Sequence, residues 1–217
     1  MKNWLYRLEY KYGRKAIPNL MMTIVIGMAL VYVADLLNPT INLTSYLYLS
    51  REAILHGQVW RLFTFIFLPP VSSPIFILLS LYFYYWIGGS LESTWGSFRF
   101  NIYYLCGVIG AIIACFITGS ADNYFLNMSL FFAFAVLYPD MQVMLFFVIP
   151  IKIKWLALVD AVMFAFFFIT GGWPARAAIV MSLVNFFLFF GPDFIRRIRN
   201  DSKYWRTRAQ FRRNNRR

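Results

Sequence analysis

Six apolar stretches run through this chain, and they constrain its fold more than any other feature. They cover Pro18 to Leu37, Pro74 to about Leu91, Phe98 to Thr118, Tyr124 to Tyr138, about Val143 to Thr170, and Ala175 to Gly191. The fifth is interrupted: the run Val143–Ile149 ends at Pro150, Lys152 and Lys154 follow as a cytoplasmic turn reaching headgroups, and the span proper starts near Trp155. A hydrocarbon core about 30 Å thick is crossed by about 20 helical residues. Lipid offers no partner to open backbone groups, so each stretch has to be helical. The expectation is an all-α polytopic membrane protein with six spans. Composition agrees: 14% of residues are charged and 60% hydrophobic, where a soluble domain is about 25% charged. The 217 residues leave no room for an additional soluble domain of ordinary size.

The connection from Asn38 to Ser73 is long and holds Arg51, Glu52, His56, Arg61 and the pair Pro69-Pro70. Its core, Val59 to Leu68, is aromatic and apolar but too short to span, which predicts an interfacial or re-entrant helix and a partly membrane-inserted first loop. Cations set the orientation. With the N-terminus inside and six spans, 18 of the 21 Lys and Arg fall on the cytoplasmic side, ten of them after Pro192. The expected organisation is a basic cytoplasmic segment (1–16), a membrane domain (17–191) and a basic cytoplasmic tail (192–217), in the plasma membrane of a bacterium or an ER-type membrane of a eukaryote. Basic segments flanking spans point to anionic lipid headgroups rather than nucleic acid. The sequence leaves oligomerisation open.

Two motifs carry chemistry. Gly57-Gln58-Val59-Trp60-Arg61-Leu62-Phe63-Thr64 lies in the first loop, and Gly88-Gly89-Ser90-Leu91-Glu92-Ser93-Thr94-Trp95-Gly96 closes the second stretch. Trp60 suits a membrane interface, and Arg61 is able to reach headgroups or cap loop carbonyls. Glu92 at a helix end can accept from backbone N–H groups opening the next helix. Gly88 and Gly96 permit close helix contact and a sharp turn. Together with Leu91, these residues resemble the rhomboid superfamily, which pairs a Trp-Arg motif in the first loop with Gly-x-x-Leu-Glu-x-x-x-Gly at the end of the second helix. The resemblance implies a six-transmembrane-helix rhomboid-like bundle with cytoplasmic termini.

The resemblance also implies where catalysis would sit, and there the sequence departs from it. Active rhomboids use a serine in Gly-x-Ser-Gly at the start of the fourth helix and a histidine in the sixth, with a His and an Asn on the second helix near the oxyanion. The corresponding segment here is Asn127-Met128-Ser129-Leu130, which keeps Ser129 and lacks both glycines. Counted back from Glu92, the second-helix positions are Ser80 and Phe76. The sixth stretch has no histidine; the only one in the chain is His56, in the first loop. A serine hydroxyl needs a positioned base to attack an amide. The pattern is similar to derlins and other inactive rhomboid-like proteins, which implies a pseudoprotease that binds transmembrane clients in membrane protein quality control. Two alternatives stay open: a divergent intramembrane serine protease using Ser129, and a small transporter or channel.

For the transporter reading the residue in question is Asp160, a carboxylate within the fifth span; Asn185 or Ser182 in the sixth is the expected hydrogen-bond partner. Cys106 and Cys115, on one helix, are too far apart to bridge. The residues call for no cofactor and no metal. Asn42-Leu43-Thr44 and Asn127-Met128-Ser129 both fit the glycosylation sequon, the second too near the membrane to be used.

Overall fold

The computed structural model of the chain describes residues 3–38, 42–70, 73–145, 149–187 and 189. The basic tail from 192 onward and the end of the sixth apolar stretch lie outside the described residues. An N-terminal helix α1 (Asn3–Tyr12) precedes the first long helix, α2 (Leu20–Leu37). The first loop follows as short pieces: α3 (Leu43–Leu47), β1 (Leu49–Ser50), α4 (Arg51–Leu55) and α5 (Arg61–Thr64), the last running into a 3₁₀ turn over Phe65–Phe67. Then come α6 (Pro74–Trp95), α7 (Ser97–Thr118), β2 (Ser120–Ala121), α8 (Tyr124–Leu137), a hairpin of β3 (Gln142–Leu145) and β4 (Ile149–Lys152), α9 (Ile153–Thr170) and α10 (Trp173–Phe187).

Four helices, α2, α6, α7 and α9, are long and apolar enough to cross a bilayer; α8 and α10 are shorter apolar helices. The 14 residues of α8 rise about 21 Å, less than the hydrocarbon thickness. Burial explains why that length is tolerated. Leu126, Leu130, Phe131, Ala133, Phe134 and Ala135 of α8 are all buried, so much of its length meets protein. On α9, by contrast, the buried residues are Ile153 and Phe164. The core gathers Met21, Ile24 and Met28 of α2, Leu81, Ile87 and Leu91 of α6, Phe100 and Tyr103 of α7, and the inner face of α8. Close ring contacts fix the packing, among them Trp86 on Phe134 and Phe132 on Phe164, each at 5.1 Å. Between helices in lipid, such packing replaces the hydrophobic drive available in water.

Two departures from the expected all-helical chain have clear causes. The apolar run after Tyr138 is the first arm of an antiparallel hairpin, with Val143 opposite Ile151 and Met144 opposite Pro150. Pro150 has no N–H to give a helix, and the β-branched residues around it favour a pleated surface. Lys152 and Lys154, expected at headgroups, both pair with Asp140, at 3.6 and 2.9 Å. The hydrogen bond and charge of Lys154, aided by the charge of Lys152, hold the Asp140 carboxyl below the usual carboxylate range. The second departure is a two-residue antiparallel ladder between β1 and β2, Leu49 with Ala121 and Ser50 with Ser120, which ties the first loop to the α7–α8 turn.

Candidate functional site

The first-loop motif is an internal clamp. Arg61 is 6% exposed. Its Nη1 donates to the carbonyls of Ser45 (3.0 Å) and Tyr48 (2.9 Å), and its Nε donates to Gln58 Oε1 at 2.7 Å. The guanidinium lies over the Tyr48 ring, 5.2 Å from its centroid. Of the two expected roles, capping loop carbonyls is the one adopted. Trp60 is half exposed beside it.

The second motif closes the opposite end of the bundle. Helix α6 continues one turn past Leu91 and stops at Gly96, whose φ of +83° is the left-handed region open to glycine. Glu92 is buried in that last turn and accepts from the backbone N–H of Asn19 at 2.8 Å. The helix it caps is therefore α2, not the next one as expected: Asn19 is the N-cap residue of α2 and contributes no side-chain cap of its own. Gly88 lies one turn earlier, where a Cβ would run into the Met21 side chain, so it sets the approach of α6 to α2. A third tie sits nearby, where Arg99 donates to Glu9 at 2.8 Å.

Ser129 lies at the other end, on the wall of a cavity of about 340 Å³. Helices α7, α8 and α10 line it with Gly107, Ala111 and Ala114, with Phe125 and Leu126, and with Pro174, Ala175, Ala178, Met181, Ser182 and Asn185; Tyr48, Ser120 and Asp122 complete the lining. Ser129 is 1% exposed. Its hydroxyl donates to Leu126 O at 2.7 Å, and its carbonyl accepts from the Tyr103 hydroxyl at 2.9 Å. Ser182 donates to Phe125 O at 2.9 Å. Among the described lining residues the ionisable groups are Asp122 and Tyr48. His56 is exposed in the first loop, with Nδ1 2.8 Å from Glu52 O. Lys152 and Lys154 come after the far end of α8, and that end is itself about 12 Å of helix rise from Ser129.

The structure brings Ser129, Ser182 and Asn185 to one cavity and leaves Asp160 away from it. Asp160 is half-buried, and neither Ser182 nor Asn185 bonds to it, contrary to expectation: Ser182 is committed to α8. Both side-chain atoms of Asn185 are buried without a partner among the described residues. Ser80, the second-helix position, lines a separate cavity beneath the first loop with Tyr84 and Asn123. Asn123 is a residue the sequence reading missed. It donates to the carbonyls of Ile66 (3.3 Å) and Leu68 (2.9 Å) and fastens the first loop to the start of α8; its place just before an apolar helix was the available signal. Asn127 is 4% exposed, in keeping with a sequon out of reach.

The sequence model of one protein family, the Rhomboid domain, matches residues 56–184. Those bounds take in Trp60, Arg61, the Glu92 motif, Ser129 and Ser182. No curated protein matches the chain.

Proposed function

This chain belongs to the rhomboid family and is an integral, multi-pass membrane protein, and on that premise we propose that it binds transmembrane segments of client proteins without cleaving them, in membrane protein quality control. The observation that carries this reading is the wall facing Ser129. There α10 presents Ala175, Ala178, Met181, Ser182 and Asn185, none of them a general base, and the Ser129 proton is already donated to Leu126 O. A backbone carbonyl cannot take up that proton, and a serine hydroxyl without a base to do so is a weak nucleophile.

In this proposal α2, α6, α7, α8, α9 and α10 are the six spans, and both termini are cytoplasmic, as the placement of 18 of 21 cations favours. The first loop dips into the outer leaflet through Trp60 and Phe63, both well exposed, and the basic segments at the two ends hold anionic headgroups. The inserted first loop thins the bilayer beside the bundle. A weakly hydrophobic client helix gains by moving to the thinner region, since mismatch costs fractions of a kcal/mol per Å.

The test is reconstitution of the purified protein with labelled single-span substrates, with Ser129→Ala as control. Retention of substrate with no product from either protein supports the proposal. Product formed by the parent and lost in Ser129→Ala overturns it in favour of a divergent serine protease.

A further inference from the structure

Along its α8 and α10 walls the Ser129 cavity has a one-sided hydrogen-bonding inventory. Ser129 and Ser182 have each donated their proton to a carbonyl of α8. What their hydroxyls still offer is acceptor lone pairs. The carboxamide of Asn185 has neither its donor nor its acceptor used among the described residues, although the residue is only 4% exposed. A buried, unpaired amide is costly, so a residue kept in that state calls for an explanation.

The seat of the amide is Gly107 of α7. A Cβ at Gly107 would lie 3.0 Å from Asn185 Nδ2, so the missing side chain is what makes room for it. Rotation about the last torsion of an Asn is soft and turns the amide from that wall toward the cavity. The α8 and α10 walls then present one donor and one acceptor from Asn185, and two further acceptors from the serines.

The group that answers this pattern is another primary carboxamide. Its C=O accepts from Asn185 Nδ2, one N–H donates to Asn185 Oδ1, and the other finds a serine oxygen. An ionised carboxylate has no hydrogen to give and would face three acceptor oxygens. An aliphatic side chain would leave the Asn185 amide as it is. We propose that Asn185 is the recognition group for a Gln or Asn side chain carried by a client's transmembrane segment, bound beside Ser129 and Ser182. The inference rests on the client-binding reading and names the client chemistry that this site selects.

The experiment measures binding of the full-length protein in liposomes to single-span peptides of one Leu-Ala sequence, with Gln, Glu or Leu at the centre. A hydrogen bond within a membrane is worth about 0.6–2 kcal/mol, so the Gln peptide should bind about threefold to thirtyfold more tightly than the Leu peptide, with the Glu peptide not favoured at neutral pH. Asn185→Leu should remove the preference for Gln and raise thermal stability in the absence of peptide, because an amide without a partner among the described residues is gone. Ser182→Ala, a smaller change, should reduce the preference without removing it. Equal binding of the Gln and Leu peptides by the parent protein overturns this inference and leaves client binding standing. A Gln preference that survives Asn185→Leu, or a lower stability of that variant, overturns the assignment to Asn185. Absence of binding to every peptide overturns both this inference and the client-binding reading.

Discussion

Arg61 and Asn185 are both buried polar side chains, and they are opposites in how their hydrogen bonds are used. The Arg61 guanidinium reaches Gln58, Ser45 and Tyr48 and stacks on a ring. Asn185 bonds to nothing among the described residues. The same contrast separates regions of the molecule: Glu92 and Arg99 each reach across to the chain's N-terminal segment, whereas the Ser129 cavity holds an amide left without a partner among the described residues. The family motifs visible in the sequence hold the bundle together; the Asn185 carboxamide, without a partner among the described residues, lies elsewhere.

That contrast can be broken at its firm side first. Arg61→Ala should cost about 3 kcal/mol in detergent unfolding, because charged hydrogen bonds are lost and two loop carbonyls are stranded; Arg61→Lys should rescue little, since lysine lacks the planar fork. An unfolding midpoint that does not move would make the clamp incidental. Glu92→Ala should cost about 1–2 kcal/mol by removing the cap on α2, and Glu92→Gln should restore part of it by keeping a carbonyl acceptor.

On the cavity side the expected effects shrink. Gly107→Ala should cost about 1 kcal/mol, as its Cβ would meet the Leu126 side chain and crowd the Asn185 amide. Ser129→Ala should change unfolding by less than about 0.5 kcal/mol, because a serine bonded back to its own helix adds little. The smallest effect is at Asp140, whose carboxyl is depressed by Lys154 and Lys152. A depressed pKa contributes stability above the ordinary carboxylate value, and that contribution is lost as pH falls through the lower folded value. The stability gap between the parent and Asp140→Asn should therefore be present at pH 7 and close at strongly acid pH; a gap that widens in acid would contradict the pairing.

Much of the helical architecture was legible because apolar runs of this length have few alternatives in lipid. The hairpin at residues 142–152 was not, because a short apolar run reads alike as a buried strand or as the start of a helix. Glu92 was recognisable as a cap acceptor, but its partner depends on how α6 lies against α2, which no local pattern encodes. Asn185 was read as a partner for Asp160 because helices that are apolar on every face carry no mark of which side faces inward. Ser129, Ser182 and Asn185 were each visible as residues; that they share one cavity is a fact of helix rotation.

The Glu92–Asn19 bond spans 73 residues of chain. A ribosome makes about 5–20 residues per second, so the start of α2 waits roughly 4 to 15 seconds for its acceptor to be synthesised. Through that interval α2 has no side-chain cap, and its positively polarised end faces water or headgroups unaided. The cap therefore forms only after α6 has been made to its last turn, and a chain truncated before Glu92 has no acceptor for the Asn19 N–H, so the start of its α2 should fray more readily than in the full chain.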